Sequence, residues 1–456
     1  MAKQRRVYRC TNCGLMLEQW IGRCPQCGEW NTIVEDTVDT VKARSTRNQG
    51  IVSSPIPFNV IDTAGTISRT RTGISELDRV LGGGIVRGSF TLVGGDPGIG
   101  KSTILLQMAN NVASNDVKVL YISGEESAEQ LKMRGERLGI DSEDLLVYPE
   151  VVLENIREQI LSSSPEIVII DSIQSILSTE IDAPPGSIAQ IRNGAGTLLE
   201  IAKGMNVTVF VVGHVTKDGW IAGPKMLEHL VDTVLYFEGD SSGAYRVLRT
   251  VKNRFGPTGE IGVFEMKADG LKEVKDPSHL FIHGHGSNLP GAAVMATIEG
   301  TRALLVEVQS LVSRSSFSMP RRISIGIDMS RLSVLLAVLE KRGGLKLSSS
   351  DVVVSVAGGI KVVEPAIDLS IIMAVASSAM DKPVPRGMVF IGEVGLNGEV
   401  RAVNRIDVRV NEAKRMGFSR VAIPSSNSGS LEDTRGIKIL PISSIRQAFC
   451  ILGKQG

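Results

Sequence analysis

A glycine-rich loop carries the most specific chemical pattern in this sequence of 456 residues. Residues 95–102 read Gly-Asp-Pro-Gly-Ile-Gly-Lys-Ser, and an apolar run at 89–93 precedes them. Glycines let backbone N–H groups turn inward around phosphates, the Lys101 ammonium neutralises the β and γ oxygens, and the Ser102 hydroxyl can hold Mg²⁺. A chance glycine-rich turn is the alternative, but the strand before the loop and the apolar helix after it favour a site for ATP and Mg²⁺. The predicted nucleotide-binding residues of this loop are Gly95, Asp96, Pro97, Gly98, Ile99, Gly100, Lys101, Ser102 and Thr103.

Four of the five cysteines have the spacing of metal ligands, namely Cys10, Cys13, Cys24 and Cys27. Two such tight turns can bring four thiolates together around a structural Zn²⁺, which offsets the lack of a core in so short a segment. Two disulfides are the alternative, and the absence of a secretory signal disfavours them. Trp20 and Trp30 are predicted to cover this small ribbon, although exposed tryptophans serving a partner remain the alternative. Cys450 is predicted to be a small core residue.

Length and composition limit the class of protein. A chain of 456 residues predicts about three domains. Because 50 Lys and Arg balance 49 Asp and Glu, nucleic-acid binding requires a local basic surface. The basic N-terminus leads directly into the cysteines, so no secretory signal is predicted and the expected location is the cytoplasm. The most apolar stretch, 369–380, is too short to span a bilayer. It is predicted to be a buried helix, and no membrane partner is expected.

Two carboxylates follow predicted strands downstream of the phosphate loop. The strand predicted over 117–123 is followed by Glu125 and Glu126, and the apolar run 167–170 is followed by Asp171. The carboxyl ends of parallel strands face the nucleotide crevice. Asp171 is therefore predicted to hold the Mg²⁺ shell of the nucleotide, and Glu125 to be the general base for the attacking water. Glu126 is the alternative base, and capping of a strand end is the alternative role for each acid.

The order of elements predicts the fold of this region. Repeated strand, loop and helix patterns favour a doubly wound, mainly parallel α/β sheet. A third strand over 207–213 brings His214 to the same edge, where it can sense the γ-phosphate or serve as a structural histidine. Residues 34–66 are polar without a sustained period and are predicted to be a linker. The linker would join a zinc-binding motif at 1–33 to an ATPase domain at 67–273.

These features together resemble RecA-type recombinases and hexameric helicases. The likeness rests on the lead-in at 73–78, on the three glycines at 82–84 and on the acids after two successive strands. With the four-cysteine motif, the Lys-Asn-Arg-Phe-Gly string at 252–256 and the C-terminal region, the whole chain resembles the RadA (Sms) family of bacterial DNA repair proteins. This resemblance implies a ring-forming, homohexameric ATPase. Such a motor would move on single-stranded DNA and promote branch migration in homologous recombination.

The resemblance also implies partners and residue roles. The expected partners are single-stranded and branched DNA, a recombinase and other recombination proteins. RecA-like proteins bind DNA through the segments after two successive strands, which correspond here to about 176–192 and 216–225. Lys252 and Arg254 are implied to reach the γ-phosphate of an adjacent subunit. The catalytic residues predicted in this way, together with those from the motifs, are Lys101, Glu125, Lys252 and Arg254.

Basic and aromatic residues offer two candidate DNA surfaces, each with a simpler alternative. In the second segment, Lys217 and Lys225 can contact phosphates and Trp220 can stack on bases. The alternative is that the lysines are solvated and that the tryptophan packs locally. In the C-terminal region the candidates are Arg314, Arg321 and Arg322 beside Phe317. Simple solvation is the alternative for any short basic run.

The region at about 280–456 resembles the proteolytic domain of Lon, an α+β fold. The likeness rests on Glu-Pro-Ala-Ile-Asp-Leu at 364–369 and on Gly-Glu at 392–393. The following Asn-Gly at 397–398 predicts a hairpin turn.

This Lon-like region is predicted to lack protease activity. Ala366 stands where the protease has its nucleophilic serine, and Asp407 stands where it has its lysine. Acyl transfer needs a hydroxyl and a base, so a non-proteolytic scaffold is predicted, with Ser370 as a core or capping residue. Two alternative functions remain at this point. One is a nucleotide-switched regulator that binds DNA or protein without translocating, and the other is an ATP-dependent protease.

Overall fold

The computed structural model describes residues 5–38 except 14 and 18, then 68–214, 226–239, 245–282, 289–316, 319–359, 361–431 and 434–453. It divides into two compact units, which are described separately. Unit 1 comprises 1–239 and 246–273, and unit 2 comprises 240–245 and 274–456. Most of the predicted linker lies outside the described residues, as do Lys217, Trp220, Lys225 and Phe317. Within the described residues, every helix is too short or too polar to cross a bilayer.

The cysteine-rich segment forms a small antiparallel sheet. Its strands are β1 (Arg5–Cys10), β2 (Met16–Leu17) and β3 (Ile33–Val38), in the order β2-β1-β3. Cys10 pairs with Ile33 across β1 and β3. These two residues and Cys24 are the buried centre of the ribbon. A core this small cannot stabilise a fold by apolar burial alone.

The larger part of unit 1 is a nine-stranded sheet with helices on both faces. A short hairpin of β4 (Arg69–Thr70) and β5 (Ile85–Val86) with α1 (Ser75–Val80) precedes the sheet. The sheet strands are β6 (Phe90–Gly95), β7 (Val119–Ser123), β8 (Leu145–Pro149), β9 (Ile167–Asp171), β10 (Thr208–His214), β11 (Thr233–Gly239), β12 (Tyr245–Asn253), β13 (Ile261–Lys267) and β14 (Gly270–Glu273). The helices are α2 (Lys101–Ala113), α3 (Ala128–Leu138), α4 (Leu153–Ser163) and α5 (Ile188–Met205).

The strand order is β14-β13-β12-β11-β6-β10-β9-β7-β8. The six strands from β11 to β8 are parallel, which confirms the predicted doubly wound, mainly parallel sheet. Every residue of β6, β7 and β9 is buried, as expected for strands covered on both faces. Two large apolar clusters, one on each face, hold the helices against the sheet. The carboxyl ends of β6, β7, β9 and β10 therefore meet at one edge.

Unit 2 contains a seven-stranded mixed sheet in the order β17-β18-β16-β15-β19-β22-β23. The strands are β15 (Ala292–Glu299), β16 (Arg302–Arg314), β17 (Arg322–Ile325), β18 (Ser350–Val356), β19 (Met388–Phe390), β22 (Arg420–Pro424) and β23 (Lys438–Ile442). A separate hairpin joins β20 (Glu393–Val394) to β21 (Val400–Arg401). Gly398 has φ +81° in its turn, so the predicted Asn-Gly turn is present. The helices are α6 (Met329–Val338), α7 (Asp368–Met380), α8 (Ile406–Arg415) and α9 (Ile445–Gly453).

Helix α7 is the predicted buried helix of unit 2, and nearly all of its residues are inaccessible to solvent. Its first residue, Asp368, is fully buried and forms an ion pair with Arg331 of α6. Cys450 differs from its prediction because it is exposed on α9. The buried stripe of α9 is formed by Ile445, Ala448 and Leu452, which leaves position 450 on the outer face of the helix.

Candidate functional site: a nucleotide edge and a zinc ribbon

The phosphate loop connects β6 to α2 with the backbone geometry that its glycines permit. Gly95, the last residue of β6, has φ +145°, and Gly100, just before α2, has φ +114°. A Cβ atom on Gly95 would lie 2.9 Å from the Phe237 carbonyl oxygen, so no other residue fits there without a shift. The positive N-terminus of α2 begins at Lys101 and points at the loop. This arrangement can bind the phosphates of a nucleotide.

Lys101 is the central cation of this loop. Only 3% of the residue is exposed, and its Nζ donates hydrogen bonds of 2.9 Å to the carbonyl oxygens of Gly95 and Asp96. Burial lowers the pKa of Lys101, while the carboxylates of Asp171, Asp96 and Glu125 act in the opposite direction. The structure therefore brings the predicted phosphate cation together with the two acids predicted after β9 and β7.

Asp171 ends β9 beside Ser123 of β7. Its Oδ2 accepts a hydrogen bond of 2.5 Å from the hydroxyl of Tyr121, a buried residue of β7. Burial and the adjacent carboxylate raise the pKa of Tyr121 well above its ordinary value, so the hydroxyl keeps its proton and remains the donor. One oxygen of Asp171 is thus held in place by the protein, which fixes the orientation of the predicted Mg²⁺ ligand.

The two neighbouring acids after β7 have different partners. Glu125 is exposed, and its Oε1 accepts a hydrogen bond of 2.6 Å from the hydroxyl of Ser172. Glu126 instead forms an ion pair of 2.7 Å with Arg134 of α3. A carboxylate neutralised by a guanidinium is a poor proton acceptor. The geometry therefore favours Glu125 over Glu126 as the candidate general base.

His214 ends β10 opposite Gly95, so its backbone lies beside the phosphate loop. Its side chain is outside the described residues, as is the predicted DNA segment at 216–225. The other predicted DNA segment, 176–192, is in part helical, because α5 begins at Ile188. Its exposed tip carries acids at Glu180 and Asp182, which repel phosphates.

Lys252 and Arg254 lie at the opposite edge of the sheet from the phosphate loop. Lys252 pairs with Val234 of β11, and Val234 pairs with Leu92 of β6. Leu92 precedes Gly95 by three residues, or about 10 Å along a strand. Lys252 Nζ donates to the Glu228 carbonyl oxygen at 2.6 Å. Neither the register nor this contact directs Lys252 to the phosphate loop of its own chain.

The string at 252–256 is held by several contacts at this second edge. Arg254 Nη1 lies 3.6 Å from Oδ1 of Asp232, a buried carboxylate that also pairs with Lys203 at 2.5 Å. Gly256 packs against Gly82, where an added Cβ would lie 3.0 Å from the Gly82 Cα. Burial and the nearby Arg254 lower the pKa of Lys252. The two glycine-containing motifs that the sequence singles out are therefore in direct contact.

The four cysteine sulfurs converge on one point in the ribbon. All four lie within 4.8 Å of one another, with 3.6 Å between Cys10 and Cys27 and 3.4 Å between Cys13 and Cys24. A tetrahedral Zn²⁺ with Zn–S bonds of about 2.3 Å requires sulfurs about 3.8 Å apart. A disulfide needs about 2.05 Å, so the four residues fit zinc and not disulfides. Zn²⁺ bound here ties β1 to the loop that carries Cys24 and Cys27.

The thiols of this cluster differ in acidity. Burial tends to raise the pKa of Cys10, but hydrogen bonds from the Thr32 side chain and two backbone amides outweigh it and lower the value to about 6. Burial is the main cause that raises the pKa of Cys13 and Cys27, and the neighbouring sulfurs add to it. Zinc binds the thiolate form, so metal binding displaces the protons that these thiols carry.

The prediction that both tryptophans cover the ribbon is wrong. Trp20 is 58% exposed and Trp30 is 66% exposed. The indole N–H of Trp20 donates to the Ile33 carbonyl oxygen at 3.1 Å, which holds the ring at the surface. The Arg23 guanidinium lies 5.8 Å from the centre of the Trp30 ring. The buried centre of the ribbon is formed by Cys10, Cys24 and Ile33 instead.

The Lon-like part of unit 2 lacks the groups of an acyl-transfer site at the expected positions. Ala366 is buried and Asp407 is exposed at the start of α8. Ser370 is fully buried, and its hydroxyl is within hydrogen-bonding distance of the Ile367 and Phe390 carbonyl oxygens. It occupies a core position. Of the candidate DNA cations here, Arg322 donates instead to the carbonyl oxygens of Ser350 and Leu347, while Arg314 and Arg321 are exposed.

Sequence patterns did not identify Tyr121 and Ser172, although both touch the candidate acids. Tyr121 lies in the middle of an apolar strand, where the pattern predicts only that its ring packs in the core. Ser172 directly follows Asp171 and reads as a loop residue. The available clue was position, because both residues lie within two places of a strand end that faces the nucleotide edge.

Comparison with known families agrees with this architecture. The ATPase model described as KaiC matches residues 70–152, and the rubredoxin metal binding domain model matches residues 8–35. The model described as subunit ChlI of Mg-chelatase matches residues 308–427. Fold and site thus define a RecA-like ATPase that uses ATP and Mg²⁺, with a zinc ribbon of four cysteines and a C-terminal ChlI-like or Lon-like domain.

Comparison with individual proteins identifies the family to which the chain belongs. A KaiC-like protein from Pyrococcus horikoshii OT3 aligns with a TM-score of 0.38 and 21% identity, covering 46% of this chain and 99% of that one. The DNA repair protein RadA of Bacillus subtilis (strain 168) is 46% identical over 453 residues, which are 98% of this chain and 99% of the relative. The DNA repair protein RadA of Halalkalibacterium halodurans is 49% identical with the same coverage. The chain belongs to the RadA family of DNA repair proteins.

Proposed function

We propose that this chain is a DNA-dependent ATPase that moves on single-stranded DNA and promotes branch migration of recombination intermediates. One observation carries the proposal: Lys101 follows the end of β6, and Asp171 and Glu125 lie at the ends of β9 and β7 at the same edge of the sheet, while Lys252 and Arg254 lie beside the start of β11. The first set supplies a phosphate cation, a candidate Mg²⁺ ligand and a candidate general base within one chain. The second set lies away from the phosphate loop of its own chain, which supports the proposal that it acts on a neighbouring chain. A motor must couple ATP hydrolysis in one subunit to movement of the neighbouring subunit, and a contact between these two edges would provide that coupling.

Each residue of the nucleotide edge has a role in the proposed hydrolysis. The loop amides and Lys101 bind the phosphates and neutralise the charge that develops on them. The Ser102 hydroxyl and Asp171 hold Mg²⁺ and its waters. Glu125 accepts the proton of the attacking water, while its Oε1 accepts the hydrogen bond from Ser172. The bound Mg²⁺ supplies charge neutralisation on the transferred phosphoryl group.

The opposite edge supports assembly into a ring. Lys252 is too far from the phosphate loop of its own chain, so a phosphate contact by this cation requires a second copy. Lys252 and Arg254 then stabilise the γ-phosphate across the interface, a role that contributes on the order of 10³-fold or more to phosphoryl transfer. A homohexamer provides this contact at every interface.

DNA and recombination proteins are the proposed partners. The RadA relatives are named DNA repair proteins, and the chain matches them along nearly its whole length. The described part of 176–192 exposes more acids than cations, so the proposed phosphate contacts fall to Lys217 and Lys225 and, in unit 2, to Arg314 and Arg321. A recombinase and other recombination proteins are the proposed protein partners.

The experiment that tests the proposal measures ATP hydrolysis by the purified chain with and without single-stranded DNA, together with assembly mass and movement of a branched DNA substrate. Hydrolysis stimulated several-fold by DNA, a hexameric mass and branch movement support it. Lys101→Ala is the control, because it removes the phosphate charge and should stop hydrolysis and branch movement while the fold and the assembly mass remain. DNA binding that depends on ATP but produces no branch movement would indicate a nucleotide-switched regulator instead.

A further inference from the structure

Ser172 connects the candidate general base to the interior of the fold. It is fully buried, whereas the Glu125 carboxylate that accepts its hydrogen bond of 2.6 Å is exposed. An exposed glutamate samples several rotamers, and a fixed donor on one oxygen selects among them.

Further contacts fix the backbone next to Ser172 and Glu125. The Ser175 hydroxyl donates to the Ser172 carbonyl oxygen at 2.7 Å. Gly124, which precedes Glu125, packs so closely on Ser175 that an added Cβ would lie 1.9 Å from its Oγ. The Gly124 N–H also donates to the Asp171 carbonyl oxygen at 2.9 Å. Residues 172–175 therefore support both the side chain of Glu125 and the turn that presents it.

The connection from β9 to α5 is itself held rigidly. Gln190, a buried residue of α5, donates through Nε2 to the carbonyl oxygens of Ser178, Ile181 and Ala183 at 3.0–3.1 Å. Its Oε1 accepts from the Ser178 N–H at 2.8 Å. The Ser178 hydroxyl donates to Glu154 of α4 at 2.6 Å. Residues 172–183 thus form a support that is fixed at both ends.

We infer that Ser172 is a positioning residue for ATP hydrolysis: its hydroxyl orients the Glu125 carboxylate towards the attacking water, and residues 172–183 hold that hydroxyl in place. The inference rests on the hydrolysis proposed above. It assigns to a buried serine a function that the phosphate loop and the two acids do not supply. Ser172 acts through Glu125 and touches no phosphate group in this role.

The test is a double-mutant cycle on the full-length protein, measured by single-turnover ATP hydrolysis and by binding of a fluorescent ATP analogue. Ser172→Ala is expected to lower the hydrolysis rate about tenfold and to change nucleotide affinity less than twofold, which is the pattern of an interaction needed only for the chemical step. In a Glu125→Gln background the same serine substitution should have no further effect, because the group that it positions is gone.

Two further variants keep the result interpretable. Thr208→Val removes a comparably buried hydroxyl from the start of β10, outside residues 172–183, and its hydrolysis rate should stay within twofold of the unmodified chain. Ser172→Cys keeps the size of the side chain with a weaker donor and should give an intermediate rate, which also provides the test if the alanine variant does not fold.

Three results would overturn the inference. They are an unchanged rate for Ser172→Ala, an equal tenfold loss in the Glu125→Gln background, or an equal loss for Thr208→Val. If the unmodified chain does not hydrolyse ATP, the proposed function itself is contradicted. Active wild-type protein with any of the three results contradicts the positioning role alone.

Discussion

Tyr121 and Asp171 meet across two neighbouring parallel strands, with 2.5 Å between the phenolic oxygen and Oδ2 of the carboxylate. Both residues are buried, so the hydroxyl replaces the water that an exposed carboxylate would bind. A hydrogen bond to a charged group contributes about 1.5–3 kcal/mol, more than a neutral one. The orientation of the predicted magnesium ligand therefore depends on a residue that contacts neither metal nor nucleotide.

Removing this hydroxyl tests its role. Tyr121→Phe keeps the ring in the core and deletes only the donor to Asp171. We expect the Mg²⁺ concentration for half-maximal ATP hydrolysis to rise severalfold, with circular dichroism unchanged, because the carboxylate loses its fixed orientation. Tyr148→Phe is a matched control, since its hydroxyl lies 3.5 Å from Glu150 and away from Asp171. An unchanged Mg²⁺ dependence in Tyr121→Phe would contradict the role.

The two acids after β7 predict different phenotypes. Glu125→Gln should bind ATP and lose at least 100-fold in hydrolysis, the typical contribution of a general base. Glu126→Gln should retain most of the hydrolysis activity, because its carboxylate is paired with Arg134. Rapid-quench hydrolysis and nucleotide binding distinguish the variants. The reverse order of effects would show that Glu126 is the base.

Metal analysis tests the zinc ribbon. We expect one Zn²⁺ per chain and its loss in Cys10→Ser or Cys27→Ser, because three thiolates bind the metal less tightly than four. The ribbon should unfold in these variants, while nucleotide binding by the nine-stranded sheet persists. Cys450→Ser is the control, since that thiol is exposed on α9. Zinc retained in full by both ligand variants would refute the site.

Mixed assemblies test action across the interface. Lys252→Ala and Arg254→Ala should each bind nucleotide but lose DNA-coupled hydrolysis and branch migration. A mixture of Lys101→Ala with Lys252→Ala chains contains some interfaces with an intact phosphate loop on one side and an intact cation on the other. Such mixtures should recover measurable ATPase activity. If mass analysis shows co-assembly and activity does not return, the cation does not act in trans.

An ion-pair network in unit 2 predicts a pH-dependent stability. The Arg415 guanidinium lowers the pKa of Asp276, and it outweighs burial to lower that of Glu412 with help from Ser278. Because both folded-state pKa values are depressed, the stabilisation is present above the unfolded values near 4 and is lost as pH falls through the folded values.

Arg415→Met should therefore lower the free energy of unfolding by about 1 kcal/mol at pH 7, and the difference from the unmodified chain should shrink towards pH 3. Scanning calorimetry of both proteins across this range gives the comparison. Arg386→Met replaces another exposed arginine and should show no such pH trend. A difference that stays constant with pH would mean that Arg415 acts through packing alone.

Motifs with a contiguous or short-range pattern were predictable from the sequence. The phosphate loop and the four cysteines have their chemistry within a few residues, and buried parallel strands read as unbroken apolar runs. The exposure of Trp20 and Trp30 was not predictable, because it depends on the folded arrangement of the ribbon and not on a local pattern. The outward position of Cys450 depends on the phase of α9, which few residues define.

Contacts between distant parts of the chain were also beyond sequence patterns. Ser172 and Glu125 are 47 positions apart, and only the register of β7 against β9 brings them together. Gly82 and Gly256 were noted in separate motifs, yet no pattern shows that their backbones touch. The edge that carries Lys252 follows from β12 running antiparallel to β11, a reversal that apolar periodicity does not reveal.

The proposed contact between the phosphate-loop edge of one copy and the Lys252 edge of the next has a consequence for symmetry. An interface that joins two unlike surfaces is heterologous, so a two-fold dimer cannot satisfy it. Each added copy exposes one unpaired edge that can bind a further copy. Growth stops only when the rotations between successive copies add up to a full turn and the ring closes. A substitution that alters this rotation slightly would therefore yield open helical filaments rather than smaller closed rings. Every closed assembly also has two distinguishable faces, which gives any strand threaded through it a defined direction.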